Sequence, residues 1–341
     1  MRFTKYATFI SILFFSLDIG GASAQVDSLI FAGIDHSIRQ DYQRAERLFQ
    51  QVIEQYPEEP QGYFFLAATL QSKMMDFETD RWADRFLALI SKSESLAKRS
   101  IEKDATDAWA YFYLGSSKSY RAFYYGKKKK YMPAIRYALE GMSALHKVIE
   151  LDSTNYDTYF GVGSYKYWRS RLTKFLNWLP LISDERDAGI EMVKLSAEKG
   201  KYTRYAAINE LTWILIDAGE TSAALEWARR GLQKYPDSRF FLWGTAKSYY
   251  SLQQYENALD IYRKLLISVQ SEQMNNHYNE IICCYKMAEC HFRLDDVDSA
   301  IACCDHIDSL KISSEIRKRL DNIFDRVKDL KNRISEKLTT R

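Results

Sequence analysis

Apolar side chains recur along this chain at the spacing of an α-helix. Near the end of the sequence the apolar positions alternate four and three residues apart, with charged residues between them: Ile316, Leu320, Ile323, Val327, Leu330 and Ile334. The 341 residues include only 5 prolines and 14 glycines. No stretch alternates apolar and polar residues with the period of two that half-buried strands require. The pattern therefore predicts an all-α protein.

Small residues recur in two series that keep step with each other. The first series is Gly33, Ala67, Gly115, Gly163, Thr212, Ala246 and Ala288, and the second is Ala45, Ser93, Gly141, Gly189, Ala224, Ala258 and Ala300. Partners in the two series lie 12 or 26 residues apart, and the next unit follows after 22 or 23 residues, with one interval of 30. Two antiparallel helices can approach closely only where the facing side chains are small. We therefore expect seven helical hairpins.

This pattern resembles the tetratricopeptide repeat, a helix–turn–helix unit of 34 residues. The matching residues are Leu29, Ala32, Gly33, Ala45, Phe49 and Pro57 in the first unit, Leu211, Gly219, Ala224 and Pro236 in the fifth, and Leu242, Ala246, Tyr249, Tyr255, Ala258 and Tyr262 in the sixth. The resemblance implies a right-handed helical-hairpin solenoid with repeats near residues 26–59, 60–107, 108–155, 156–203, 205–238, 239–272 and 281–314. The chain departs from the family's pattern because the usual tryptophan is absent and the closing proline occurs only twice.

Three neighbouring repeats, the second to the fourth, are longer than the family's unit. Each is 48 residues long, and the additional 14 residues equal about four helical turns. We therefore expect both helices of these hairpins to be longer by about two turns. Side by side, the three lengthened hairpins are predicted to project from one edge of the solenoid as a crest.

The segment 315–338 carries the regular apolar positions described above. A solenoid needs a polar-backed helix to cover its last apolar face, so we expect a C-terminal capping helix here. The alternative is a heptad seam that dimerises the protein. The sequence leaves the oligomeric state open.

The N-terminal segment MRFTKYATFISILFFSLDIGGASAQ has the features of a secretory signal peptide. Arg2 and Lys5 precede an apolar run, and the small residues Ala22-Ser23-Ala24 form a cleavage motif. The run is too short to span a bilayer as a helix. We therefore predict a signal peptide at residues 1–24 and an exported protein, periplasmic or extracellular. The formal net charge of +3 does not indicate a polyanionic partner.

In the tetratricopeptide family the first helix of each repeat lines a concave groove that holds a peptide or a partner's helix. The corresponding positions here are Phe64, Trp109, Phe112, Phe160, Tyr167, Trp168, Asn209, Trp213, Phe240, Trp243, Lys247, Tyr250, Tyr285 and Phe292. Aromatic side chains often anchor protein interfaces, although aromatics at helical spacing also pack between helices. The resemblance implies a noncatalytic scaffold or adaptor that binds a protein or peptide. Alternatives are a periplasmic small-molecule-binding or transport accessory protein and a membrane-docked envelope assembly factor.

The stretch YYGKKKKYMP places Lys127, Lys128, Lys129 and Lys130 at the tip of the third hairpin, with Trp178 near the tip of the fourth. Lysines beside aromatic residues suit nucleic acid, but the predicted export excludes that partner. An anionic membrane surface or an envelope polymer remains. In the alternative interpretation the crest hairpins pack against each other and the lysines form a solvated turn.

Five cysteines lie between residues 283 and 304, and the rest of the chain has none. If Ala288 faces Ala300, then Cys284 faces Cys304, so we predict a disulfide between these two residues. The alternatives are buried thiols and a zinc site built from Cys290, His291, Cys303, Cys304 and His306, which lacks any C-x-x-C pair.

Candidate catalytic groups are sparse. The five histidines have no associated nucleophile motif, and the sequence has no phosphate-binding loop or zinc-protease motif. We therefore expect no enzyme activity, no cofactor and no metal.

Overall fold

The computed structural model describes residues 19–173 and 183–339, with side chains from residue 24 onward. This part of the chain forms α-helices and contains no β-strand, which confirms the predicted all-α class. The helices are α1 (Ile19–Ile38), α2 (Tyr42–Gln55), α3 (Pro60–Asp76), α4 (Ala83–Lys103), α5 (Ala108–Lys127), α6 (Tyr131–Leu151), α7 (Tyr156–Leu172), α8 (Arg186–Lys199), α9 (Arg204–Ala218), α10 (Thr221–Lys234), α11 (Arg239–Ser251), α12 (Tyr255–Gln270), α13 (Tyr278–Arg293), α14 (Val297–Ser309), α15 (Ser314–Arg319) and α16 (Asp321–Thr339).

Two predictions fall wholly or partly outside the described residues. Residues 1–18 of the predicted signal peptide lie outside them, and so does Trp178 of the predicted crest. Across the ranges that the structure describes, no helix is long and apolar enough to cross a membrane.

The first fourteen helices form seven hairpins that follow one another along the chain. Each odd-numbered helix packs against the even-numbered helix that follows it, and each hairpin packs against the next. The second helices of hairpins two and three, α4 and α6, are each 21 residues long, whereas α10 has 14 residues. The arrangement is the predicted solenoid of helical hairpins.

The small residues meet where the spacing predicts. A Cβ atom added to Gly115 would lie 2.9 Å from the carbonyl oxygen of Gly141, and one added to Gly163 would lie 2.7 Å from the carbonyl oxygen of Gly189. Real Cβ atoms do not approach backbone atoms this closely, because van der Waals repulsion rises steeply at such distances. Glycine at these positions therefore permits the close contact of α5 with α6 and of α7 with α8.

Six of the seven hairpins have a turn that the structure describes in full, and these six turns repeat one backbone feature. A residue with positive φ follows the first helix: Gln40, Glu78, Lys129, Gly219, Gln253 and Asp295. The left-handed conformation reverses the chain in few residues, and glycine adopts it without steric cost. Only Gly219 is a glycine, so the other five turns are held in this conformation at some cost by the packing of the helices on either side.

The C-terminal segment caps the solenoid with two helices instead of the single predicted one. The chain bends at Leu320, between α15 and α16, and α16 packs against α13 and α14. The predicted apolar positions Ile316, Leu320, Ile323, Val327, Leu330 and Ile334 are buried in the cluster of the last hairpin. The face proposed for dimerisation is therefore covered by the chain itself.

The solenoid contacts itself across its concave side. The Lys201 ammonium lies 2.7 Å from the Asp27 carboxylate of α1, and the Tyr202 hydroxyl donates to the other oxygen of that carboxylate. Further along α1, the Ser238 hydroxyl donates to the carbonyl of Ile38 over 2.6 Å. The first hairpin is thereby bonded to the loops that precede α9 and α11.

The end of α3 makes a second set of contacts across the concave side. Arg239 forms a two-point ion pair with Asp76, with Nε–Oδ1 and Nη2–Oδ2 distances of 2.9 and 2.6 Å. The Asn279 amide donates to the carbonyl of Asp76 over 2.7 Å, and the Asn276 amide donates to that of Phe77 over 2.9 Å. We call both sets the closure contacts. They join the first two hairpins to α11, to α13 and to the loops that precede α9, α11 and α13.

Candidate functional site

A cavity of about 600 Å³ lies inside the closed solenoid. The first helices of all seven hairpins, α1, α3, α5, α7, α9, α11 and α13, contribute to its wall. Most of the exposed wall is apolar, with serine, threonine and asparagine side chains between the aromatic ones. This volume lies within the range of small-molecule and cofactor pockets, about 300–1,000 Å³.

Seven of the predicted groove residues line this cavity. They are Phe64, Phe112, Phe160, Asn209, Trp213, Phe240 and Trp243. Phe64 and Phe112 are buried, with ring centroids 6.3 Å apart. Trp213 and Trp243 are half-buried and leave part of their surface to the cavity. The first helices of hairpins two to six therefore each contribute at least one predicted groove residue to the same cavity.

The other seven predicted groove residues do not line the cavity. They are Trp109, Tyr167, Trp168, Lys247, Tyr250, Tyr285 and Phe292. Tyr167 is fully buried and donates to Asp217 over 2.8 Å, and Trp168 donates to Glu210 over 2.6 Å. The Arg333 guanidinium carbon of α16 lies over the Phe292 ring, 4.6 Å from the ring centroid. Packing between hairpins and the C-terminal cap occupies these side chains.

Arg239 is the charged centre of the closure contacts. Its side chain is 4% exposed and also pairs with Glu272 over 2.8 Å. Burial disfavours the charged guanidinium, but the hydrogen bonds and charges of Asp76 and Glu272 outweigh this effect and raise the pKa of Arg239. Tyr42 donates to Asp76 over 3.1 Å, and burial followed by the charge of Asp76 raises the pKa of that phenol. This network forms one end of the cavity wall.

Asn209 is a predicted groove residue with a buried polar atom that lacks a partner. Its Oδ1 atom is buried and accepts no hydrogen bond within the described residues. A buried acceptor without a donor costs free energy, so such an atom in a cavity wall suits a ligand that donates a hydrogen bond. Ser116, Ser119 and Thr158 also line the cavity and add hydroxyl groups to its wall.

Several important residues could not be identified from the sequence. Arg239 and Asp76 were not assigned a role, and neither was Asp157, whose carboxylate accepts hydrogen bonds from the backbone of Lys201 and Tyr202 over 3.0 and 2.7 Å. Asp157 thereby fixes the loop that contacts α1. These contacts join residues far apart in the chain, and no repeat spacing indicates them.

The lysines of the predicted crest lie at the exposed turn between α5 and α6. Lys127, Lys129 and Lys130 are exposed and form no ion pair within the described residues, whereas Lys128 pairs with Asp80. The four lysines do not contribute to the cavity wall.

The predicted disulfide between Cys284 and Cys304 is not formed. All five cysteines are free thiols, and these two are buried in the apolar cluster of the last hairpin. Both thiols pack as small apolar side chains in that cluster. Burial raises the pKa of Cys284 to about 12 and that of Cys304 to about 11.

The histidines considered for zinc instead contact carboxylates. His291 Nδ1 lies 2.8 Å from Asp296, and His306 Nε2 lies 2.9 Å from the buried Glu280. Burial acts to raise the pKa of Glu280, but hydrogen bonds from Gln270, His277, His306 and Asn275 lower it to about 2. Glu280 therefore organises the start of α13, next to the closure contacts.

Two family models, both described as tetratricopeptide repeat, match the chain at residues 37–59 and 210–273. The first range covers the end of α1 and α2, and the second covers most of hairpins five and six. No curated protein matches the chain.

Solved structures provide further comparisons. The Cut9–Hcn1 hetero-tetramer of the APC/C aligns with a TM-score of 0.50 and 14% identity over 79% of this chain and 43% of that chain. PilW, described as a widely conserved type IV pilus biogenesis factor, aligns with a TM-score of 0.47 and 14% identity over 76% of this chain and 98% of that one. PilF of Pseudomonas aeruginosa aligns with a TM-score of 0.39 and 12% identity, over 89% and 99% of the two chains. Identities this low indicate the fold alone. Residues 37–59 and 210–273 therefore match tetratricopeptide repeats and lie within a solenoid of helical hairpins.

Proposed function

We propose that this protein is a noncatalytic, exported scaffold that binds a short, extended and mainly apolar segment of a partner polypeptide in its central cavity. The observation that supports this function is the cavity wall, to which the first helices of all seven hairpins contribute. Phe160, Trp213, Phe240 and Trp243 provide half-buried aromatic surface. Aromatic residues in a desolvated pocket are the usual anchors of protein recognition.

The cavity volume limits the shape of the ligand. An α-helix with its side chains is about 10 Å wide and rises 1.5 Å per residue, so about 600 Å³ holds roughly five residues of such a cylinder. A segment of a few residues therefore fits, and in extended conformation it presents its backbone polar groups to the wall. The hydroxyl groups and Asn209 along the wall can bond to the polar backbone of such a segment.

A small apolar molecule is the second candidate ligand. The closure contacts favour it, because Asp76, Arg239 and Asn279 bond the two sides of the solenoid together beside the cavity. A small molecule needs less room to enter a site narrowed by these contacts than a continuous chain does. This function corresponds to a binding or transport accessory protein.

Filling the cavity should weaken binding. Ser116 lines the cavity on α5, and we expect Ser116→Trp to weaken binding of an uncharged apolar fluorescent probe such as N-phenyl-1-naphthylamine by about ten-fold or more, the effect of losing one well-packed apolar contact surface. The matched control is Ser95→Trp, which adds the same side chain to an exposed position of α4. Probe titration measures the affinity, and near-ultraviolet circular dichroism checks that both variants keep native packing.

Competition against the bound probe separates the two ligands. Displacement by short apolar peptides supports the polypeptide ligand, and displacement by laurate but not by peptides supports the small molecule. Equal probe binding by the two tryptophan variants would show that the probe does not occupy the cavity and would contradict both.

A further inference from the structure

An apolar strip lies on the part of α6 that follows the lysine turn. Tyr131 is 63% exposed, Met132 77%, Ile135 55% and Leu139 56%. These four are among the ten large apolar side chains that the described residues expose most, and they fall within nine consecutive positions. Single exposed apolar residues are ordinary, but a contiguous patch indicates an interaction site.

The fold itself does not use this strip. The later part of α6 buries Met142, Leu145 and Val148, which hold the helix against its neighbours. Ile135 and Leu139 lie on the same face of α6 as Met142 but nearer the N-terminus of the helix, where this face is exposed. Their exposure therefore adds nothing to the stability of the solenoid.

Positive charge flanks the apolar strip. Lys127, Lys129 and Lys130 precede it without ion pairs in the described part of the chain, and Arg136 lies within it, 3.9 Å from Glu140. The Tyr125 and Tyr137 rings stack with centroids 5.7 Å apart between the lysine turn and the strip. Tyrosine combines an apolar ring with a polar hydroxyl and is enriched at interfaces between water and lipid.

We infer that this end of the third hairpin, the basic-apolar patch of Lys127–Lys130, Tyr131, Met132, Ile135 and Leu139, docks the protein onto an anionic lipid bilayer. Apolar side chains enter the boundary between headgroups and acyl chains, while adjacent lysines attract the anionic headgroups. Lysine carries a compact, hydrated charge on a flexible stem, which suits a fluid layer of headgroups. Protein interfaces, in contrast, are depleted of lysine.

Vesicle binding by the full chain tests this inference. Each lysine near an anionic surface contributes about five-fold to binding, so we expect K127Q/K129Q/K130Q to bind vesicles of phosphatidylglycerol and phosphatidylcholine roughly 100-fold more weakly than the native chain. I135S/L139S should weaken binding by about ten-fold or more, because each side chain no longer buries apolar surface in the lipid. The control is I267S, because Ile267 is 68% exposed on α12, away from the patch. Residues 1–24 are common to all variants, so any contribution from them cancels in the comparison.

The outcomes separate two occupants of the patch, a lipid surface and a second copy of the chain. Three results together support the lipid surface. Both patch variants bind more weakly, the native chain does not bind vesicles of pure phosphatidylcholine, and I267S binds as the native chain does. Equal vesicle binding by all variants overturns the inference. A second result would also overturn it: the native chain self-associates in sedimentation velocity, and I135S/L139S loses this association but keeps its vesicle binding. That result would assign the patch to a second copy of the chain.

Discussion

Replacing Gly189 with valine is expected to lower the free energy of unfolding by about 3 kcal/mol, the upper end of the usual cost of overpacking. A Cβ atom at this position would lie 2.7 Å from the carbonyl oxygen of Gly163 and 2.8 Å from the amide nitrogen of Tyr167. Both are backbone atoms of α7, which cannot rotate away as a flexible side chain can. The two helices must separate, and the packing along the fourth hairpin weakens. Urea unfolding followed by circular dichroism measures the change.

The matched control for this variant is Gly126→Ala. Gly126 lies near the end of α5, and a Cβ atom there would meet nothing within 4 Å. Alanine has the higher helix propensity, so this variant should be unchanged or more stable by up to about 1 kcal/mol. Equal stability of Gly189→Val and the native chain would show that α7 and α8 do not meet at these glycines, and the predicted register of the repeats would be wrong.

Replacing Arg239 with leucine is expected to cost about 3–5 kcal/mol, because it leaves a carboxylate buried without its partner. The Asp76 side chain is 10% exposed and receives both hydrogen bonds of the Arg239 fork. Glu272 also loses its ion pair with Arg239. Since this pair joins the second hairpin to the sixth, small-angle X-ray scattering should show a larger radius of gyration in addition to the lower unfolding free energy.

Two further variants separate the role of this ion pair from a general loss of charge. Arg263 forms an exposed pair with Asp260 on α12, so Arg263→Leu should change stability by less than about 0.5 kcal/mol. The double variant Arg239→Leu with Asp76→Asn removes the unpaired charge and should recover part of the loss. If Arg239→Leu is no less stable than Arg263→Leu, the pair does not hold the solenoid closed.

The repetitive part of the fold could be predicted from the sequence because packing imposes a spacing on it. A residue must be small wherever two helices touch, as at Gly115, Gly141, Gly163 and Gly189. The contacts therefore appear in the sequence as small residues at regular intervals. The turns carry no such signal. Five of the six residues with positive φ in the described hairpin turns are not glycine, and their conformation is set by the helices on either side.

The candidate site could be predicted only in part. Transferring groove positions from one repeat to the next assumes that every first helix faces the same open space, which is correct for Phe112 and Trp213. It is wrong for Tyr167, whose hydroxyl bonds to Asp217 of α9. The contact of Asp76 with Arg239 spans 163 residues, and a single sequence contains no pattern that relates two such ordinary polar residues.

The central claim is that the solenoid closes on itself around the cavity, and a zero-length carbodiimide cross-link tests it most directly. This reagent joins an amine to a carboxylate only where the two are in contact. The Lys201 ammonium lies 2.7 Å from Asp27, 174 residues away, while Lys331 of the C-terminal cap lies 2.8 Å from Asp305 of α14, in the adjoining last hairpin. Mass spectrometry of the digested protein should find both cross-links. Recovery of the Lys331–Asp305 link without the Lys201–Asp27 link would show that the solenoid is open and would contradict this account.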